Sequence, residues 1–376
     1  MPDVIVIGAG PVGLLLAGEL RRRDIDVEVL ERRAAAGDGT RAIGIHAPVL
    51  AALEQSGITD ELLARAVRVP RGLARARGKT LGIVRFDLLS TRFPFVATLP
   101  QARTEQILTD RAPVPRRDTT VTSVVPSRDA VRVSAHDGER TSPIVVVASG
   151  SGGRDLVFRP GAVPLTTYPD RYLMTDAAAG VDADPDVAVV NLDPTGVMES
   201  FPLPDGQRRY VAWDAPGGDD DPARRLERLR TAVAVRGEPD AAEGITWASS
   251  FGVRRYVAPR MRRGRLFVIG DAAHEVSPIG GQGMNLGLLD AAGLAPLLAR
   301  WVRTGVAPDD DLGRWETRRV RSALRAARLA ALNTDLGRAM PGVADTLRRT
   351  GVRAMLAPPA GRLFAHAYAM GLDAGA

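Results

Sequence analysis

The first 32 residues constrain the fold of this chain more than any other stretch. Val4 to Ile7 is an apolar run, Gly8-Ala9-Gly10-Pro11-Val12-Gly13 follows, an apolar helical pattern runs through Leu20, and Val27 to Leu30 ends in Glu31. A short continuous apolar run bounded by glycines reads as a buried strand, so the order is strand, glycine turn, helix, strand, acid. Gly8 allows the tight turn, Gly10 lets the backbone reach a pyrophosphate, and Gly13 lets the helix pack on the sheet. Glu31 stands 18 residues after Gly13 (31 − 13). That is the spacing at which a dinucleotide-binding unit places its ribose-binding acid. Such a charge-assisted contact contributes about 1.5–3 kcal/mol.

A second glycine-rich stretch extends the pattern. Leu266 to Ile269 is apolar, Gly270-Asp271-Ala272-Ala273-His274 follows, and after Pro278 come Gly280-Gly281-Gln282-Gly283-Met284-Asn285. The segment Leu286 to Leu298 is rich in Ala and Leu, so the whole predicts strand, turn, loop, helix. Asp271 then lies just beyond a buried strand, and Gly280 to Asn285 lie at a helix N-terminus. The amides there have no intrahelical partner and the dipole supplies roughly half a positive charge, a seat for an anion or an electron-rich ring edge. Gly280, Gly281, Gly283 and Gly287 together would let a flat ligand approach the backbone.

With 376 residues and 45% apolar content, the chain can bury a sizeable core in two or three domains. No run approaches the length of a membrane span and no basic leader precedes the first strand, so cytoplasmic residence without stable membrane insertion is expected. The absence of cysteine removes disulfides, iron–sulfur clusters and thiolate zinc sites. An electron carrier would therefore be a bound organic group, and no metal site is assigned. The net charge of +6 is arginine scattered along the chain, since Lys79 is the only lysine. No basic stripe interleaved with aromatics indicates nucleic acid.

Between the two glycine stretches, Arg41 to Leu53 predicts a helix-like segment ending near Gly57. Residues 71 to 96 predict a hairpin turning at Gly78-Lys79. Gln101 to Leu108 predicts a helix, and Thr119 to Val125, Ala130 to Ala135 and Ile144 to Ala148 predict strands. From Pro160 to Ser250 short β-type runs are split by Pro and Gly, as in a mostly antiparallel sheet. Met198, Phe201, Tyr210 and Trp213 on those runs could line an aromatic-accepting cavity or simply form core. Asp219-Asp220-Asp221-Pro222 predicts the cap of a helix over Ala223 to Val235. Val302 to Asp311 reads as a linker, and Leu312 to Ala331 as a helix whose arginines, at 314, 318, 319, 321, 325 and 328, form a solvated face. Residues 339 to 373 are amphipathic and interrupted by proline.

Four blocks carry a resemblance to a known family. They are Val4 to Arg32, Arg41-Ala42-Ile43-Gly44-Ile45-His46, Leu99-Pro100-Gln101-Ala102-Arg103-Thr104-Glu105, and Gly270 to Asn285. In order and spacing the chain resembles the class A FAD-dependent monooxygenases, the para-hydroxybenzoate hydroxylase fold group, closest to the polyketide-tailoring aromatic hydroxylases and ubiquinone-pathway hydroxylases. The resemblance implies an α/β fold. A Rossmann-like FAD-binding domain (1–70, 97–160 and 251–300) would carry an inserted, mostly antiparallel β-sheet substrate domain (71–96 and 161–250), with a C-terminal helical region over 301–376. It also implies non-covalent FAD contacts from Gly8, Gly10, Gly13, Glu31, Arg32, Arg41, Gln101, Val124, Gly270, Asp271, Pro278, Gly280, Gly281, Gly283, Met284 and Asn285. Arg103 would lie near Gln101. Arg41, His46 and Pro278 would face the flavin and substrate cavity; no catalytic residue is assigned.

The implied activity uses NADPH or NADH and O2 to hydroxylate an aromatic or polyketide-like small molecule by way of a flavin C4a-hydroperoxide. The sequence departs from the family at Ser151-Gly152, where relatives carry Asp-Gly and use that Asp for FAD and nicotinamide binding. A FAD-dependent reductase or a non-hydroxylating flavoprotein is therefore the alternative. A halogenase is disfavoured, because Lys79 falls in a predicted hairpin and the Trp-x-Trp-x-Ile-Pro pattern is absent. Substrate, site of oxygenation and oligomeric state are not readable at this level.

Overall fold

The computed structural model of the protein describes residues 1–37, 42–277 and 279–373. The described residues form four sheets. The first runs in the order Arg262–Arg263, Leu266–Val268, Ile144–Val147, Val4–Ile7, Val27–Leu30, parallel except for Arg262–Arg263 at its edge. The parallel strands are almost wholly buried because helices cover the sheet. Parallel neighbours need crossover connections, and the first is the helix Pro11–Arg21. The long helix Gly283–Thr304 packs against Pro11–Arg21. Gly287 makes that approach possible, since a Cβ there would come within 2.5 Å of Val12. Gly287 thus serves helix packing, not the ligand face expected of it.

A second, eight-stranded sheet runs in the order His274–Glu275, Ser249–Val257, Thr166–Ala178, Gln207–Asp214, Gly196–Pro202, Val187–Asp193, Arg71–Ala76, Lys79–Arg85. All its pairings are antiparallel except that of Val187–Asp193 with Arg71–Ala76. One face packs on the helices Pro222–Ala234 and Pro239–Gly244, burying Met198, Tyr210, Leu229 and Val233 together. The first of these helices is capped as its sequence predicts, Asp221 accepting from the amides of Ala223 and Arg224 at 3.0 and 3.1 Å. The other face looks into the interior cavity.

Three expectations need correction. The hairpin turns at Arg77-Gly78, both with positive φ, so Lys79 begins the returning strand. The expected linker over Val302 to Asp311 shrinks to residues 305–308, because one helix runs through Thr304 and the next, Asp309–Gly337, starts at once with three acids at its positive end. The helix expected to begin at Arg41 is a short strand, Gly44–Ile45, followed by a helix at Ala47–Leu53. The chain then closes with helices Gly342–Leu356 and Ala360–Tyr368, which lie against the Lys79–Arg85 strand.

Candidate active site

A single cavity of about 970 Å³ joins the two sheets. At one end it is walled by Gly8, Gly10, Glu31 and Arg32, and at the other by the interior face of the antiparallel sheet and the C-terminal helices. Gly8 has φ +112°, and a Cβ there would meet the Ala148 carbonyl oxygen at 2.6 Å. Only glycine closes the turn in this way. Nothing lies within 4 Å of where a Cβ on Gly10 would project, so its backbone stands open to the cavity. The helix that follows has no side-chain cap, leaving its first amides for whatever the cavity holds. Gly13 is placed as expected for packing, its missing Cβ being 2.0 Å from the Gly8 carbonyl oxygen, and it does not line the cavity.

Glu31 is buried and lines the cavity. Its carboxylate accepts from the Ala9 amide at 2.8 Å and from the Arg33 amide and Nε at 2.9 and 3.0 Å. Burial raises its pKa, but the bonds from Arg33 and Ala9 outweigh burial and hold it below the usual carboxylate range. Gln101 lines the cavity too, its Oε1 accepting from the Ala42 amide at 3.3 Å and its Nε2 donating to Glu105 at 2.7 Å. Arg103 points elsewhere and pairs with Asp205 on the surface. Val124 packs in the core beneath the wall, which is formed there by Thr119, Thr120 and Val121.

On the far wall Gly270, Asp271, Gly280, Gly281, Gly283 and Met284 all border the cavity. Gly280 and Gly281 adopt positive φ, +101° and +68°, so the tight double turn before the helix requires them. Asn285 is fully buried away from the cavity. Its Oδ1 accepts from the His46 amide at 2.8 Å, and its Nδ2 donates to the carbonyls of Gly44 and Gly281 at 2.8 and 2.9 Å. It therefore ties the two loops that flank the site instead of facing a ligand. Arg41 and Pro278 lie outside the described residues.

His46 is brought where its neighbours in sequence suggested, buried at the cavity wall beside Gly281 and edge-on to Tyr368, ring centroids 6.3 Å apart. Among the described residues neither ring nitrogen makes a hydrogen bond of good geometry, the Gly281 backbone being a nearby polar neighbour. Burial pushes its pKa down to about 4, so the imidazole is neutral at pH 7.

Two groups of residues escaped sequence reasoning. Arg319, assigned there to a solvated face, is 2% exposed. Its Nε donates to Asp290 at 2.8 Å, while Asp290 also meets His274 Nε2 at 2.6 Å and accepts from the Gly270 amide at 3.0 Å. Burial raises the Asp290 pKa, but His274 and Arg319 more than reverse this and keep it low. This cluster fixes the Gly270 turn from behind. From the front Arg154 donates to the Asp271 carbonyl at 2.9 Å and to Glu275 at 2.5 Å, with its guanidinium 4.0 Å over the Tyr256 ring.

The second group lines the antiparallel sheet. Of Met198, Phe201, Tyr210 and Trp213, only Phe201 reaches the cavity. Alternation along the Gly196–Pro202 strand sends Val197, Glu199 and Phe201 inward and Met198 into the opposite core. Across the sheet, register aligns Ala74, Val190, Glu199, Val211 and Met174 in one row facing the cavity. Glu199 is the one polar member of that row. The helices beyond close the chamber with Val352, Met355, Leu356, Phe364 and Tyr368.

Residues 1–330 match the family described as FAD binding domain. The chain belongs to that family. It is 34% identical over 332 residues to the 6-methylpretetramide 4-monooxygenase of Streptomyces rimosus, covering 85% of this chain and 59% of that protein. This chain thus spans less than two thirds of that relative's length. Among solved structures, the p-nitrophenol 4-monooxygenase of Pseudomonas putida DLL-E4 superposes with a TM-score of 0.86 at 22% identity, covering 98% of this chain and 97% of that one, a likeness of fold. A Diels-Alderase of the biosynthetic pathway of pyrroindomycins superposes with a TM-score of 0.79 at 25% identity, covering 98% and 80%. The fold is thus that of the FAD-dependent hydroxylases, as its four motif blocks implied.

Proposed function

We propose that this protein is a FAD-dependent monooxygenase that uses NAD(P)H and O2 to oxygenate an aromatic or polyketide-like small molecule. One observation carries the reading: a continuous cavity connects an open glycine turn at a helix start with a mostly apolar chamber large enough for a ring system. The residues fit the cofactor of the family. Amides after Gly10 would hold the pyrophosphate, and Glu31 and Arg32 would stand at the adenosine end; Glu31 keeps acceptor capacity beyond its bonds to Ala9 and Arg33. Asp271 and the Gly280–Met284 turn would border the ring end. Bound FAD supplies the electron storage and oxygen activation that no side chain here provides.

The protein's own tasks are positioning and exclusion of water. The Gly283 helix start presents uncapped amides where negative charge would develop on the cofactor ring. A neutral His46 adds a polar wall without a competing charge. Phe364 and Tyr368 line the chamber from the last helix and would limit the access of water to a bound cofactor. Ser151 accepts from Arg254 at 3.4 Å at the cavity rim, and the same guanidinium pairs with the Glu275 carboxylate at 3.0 Å.

The decisive measurement is NADPH oxidation by the FAD-loaded protein with polycyclic phenols, in air and under argon. Product gaining one oxygen atom from O2 supports the assignment; substrate turnover that proceeds without O2 and without NADPH oxidation removes it. The second outcome is the one favoured by the likeness to the Diels-Alderase, under which the protein retains FAD without oxygenating anything.

A further inference from the structure

We infer that Glu199 is the residue that selects the substrate, by accepting a hydrogen bond from a ring hydroxyl at the floor of the chamber. The inference rests on the oxygenase reading above and names the chemical class of its substrate: an uncharged hydroxyarene or enol.

Four observations meet at this side chain. Its strand lies inside the antiparallel sheet, and register places Val190 on one side of Glu199 and Val211 on the other. It is 6% exposed, and that remaining surface belongs to the cavity. Among the described residues no side chain or amide donates to it and no cation pairs with it, although a buried carboxylate without a partner is costly. Arg209, which also borders the cavity, is held by both oxygens of Asp176 at 2.7 Å. Among the described residues the titratable groups whose fields reach Glu199 are Tyr172, on the Thr166–Ala178 strand, and Tyr368, on the last helix; neither can supply a positive charge.

A carboxyl group in the middle of an apolar row does nothing for packing that Leu or Met would not do better. Glu199 lines the cavity together with Met174, Phe201, Phe251 and Phe364, a surround suited to the faces of aromatic rings. Burial pushes the carboxyl up to about 7. It therefore changes charge within the physiological range and is sensitive to a donor placed opposite it. A ring hydroxyl donating to the carboxylate would replace the missing partner and push electron density into the ring, which favours attack by an electrophilic oxygen. An anionic ligand group at the same spot would be repelled.

The test is equilibrium binding to the FAD-loaded full chain, read by fluorescence quenching, of 1-naphthol and 1-hydroxyanthraquinone against their O-methyl ethers across the range from about pH 5 to pH 8. The wild-type protein should prefer at least one hydroxyarene over its ether by about 10-fold at the upper end, the advantage of a hydrogen bond to a charged group. That preference should fade as pH falls through about 7. In Glu199→Leu, whose folding is checked by retained FAD, preference and pH dependence should both disappear while ether binding stays; in Glu199→Gln, whose amide oxygen still accepts, the pH dependence alone should disappear. Equal binding of hydroxyarenes and ethers by the wild type, a preference that survives in Glu199→Leu, a pH dependence that survives in Glu199→Gln, or no binding of either hydroxyarene overturns the inference. If oxygenated product forms while binding ignores the hydroxyl, Glu199 is wrongly assigned and the oxygenase reading stands. If the hydroxyl preference holds but no oxygen is transferred, the oxygenase reading falls instead.

Discussion

The two ends of the cavity are built by different means. At the glycine end the surface offered to a ligand is backbone: Gly8, Gly10, Gly281 and Gly283 contribute by having no side chain, and helix starts supply the polarity. At the sheet end the surface is side chain: Phe201, Val211, Met174, Phe364 and a lone carboxylate, drawn from strands and helices far apart in sequence. A backbone surface tolerates little substitution, because an added Cβ would collide with the main chain at Gly8, sit on a left-handed backbone at Gly281, and project into the open cavity at Gly10. A side-chain surface can be rewritten residue by residue, which is how one fold accommodates many substrates.

If that contrast is right, the largest effect should come from adding one carbon at the glycine end. Gly8→Ala would set a Cβ 2.6 Å from the Ala148 carbonyl oxygen on a backbone with φ +112°. The expected loss exceeds about 4 kcal/mol, seen as loss of FAD and of cooperative unfolding in urea. A variant with the wild-type midpoint would break the comparison at its root. Next comes Arg319→Ala, which leaves Asp290 and His274 without their buried cation. About 3–5 kcal/mol should be lost, again measured by urea unfolding. A cost under 1 kcal/mol would mean the Gly270 turn holds itself.

At the sheet end the sign reverses. The Glu199 carboxyl titrates near 4.5 when unfolded and near 7 when folded, so the folded state binds the proton more tightly. Stability therefore falls as pH rises from about 4.5 to about 7 and stays low above that. Glu199→Gln should gain roughly 3 kcal/mol near pH 8 and almost nothing near pH 4. A pH-independent change in the urea midpoint would show that burial of this charge has no cost.

His46 gives the mirror image. Its pKa drops from 6.5 to about 4 on folding, so stability is lost as pH falls through that window. His46→Gln should flatten this acid limb, worth up to roughly 3 kcal/mol near pH 4; an unchanged acid limb in thermal unfolding would place the titration elsewhere. The smallest effect is expected for Phe364→Ala on the closing helix. It should weaken binding of a polycyclic ligand by about 1 kcal/mol with FAD retention unchanged, and loss of FAD in this variant would mean the two ends are not separable.

This difference in construction also explains what could be read from the chain. Gly8, Gly13, Gly270 and Gly281 were legible as backbone features because turn and helix start lie close together in sequence and each has a positive φ or a close approach that excludes a side chain. The sheet end was not. Met198, Tyr210 and Phe201 looked alike as strand residues, but strand alternation sends the first two into the opposite core and only the third to the cavity. Glu199 passed unnoticed because a single acid in a strand signals nothing until its neighbours are known. Arg319 shares a helix with several exposed arginines. Its burial was set by the approach of Gly283–Thr304, and local sequence carries no trace of that.

The sequence alone determined the parallel nucleotide-binding frame, its glycine turns and its family, because those depend on φ angles and contacts within a few dozen residues. Tertiary structure alone decided that the antiparallel sheet and the last two helices close over the same cavity. It also decided that a carboxylate stands on the floor without a partner among the described residues and that an arginine is buried behind the Gly270 turn. Those facts depend on register and packing between segments up to 300 residues apart, where the free energy of a side chain is set by neighbours the local sequence does not name.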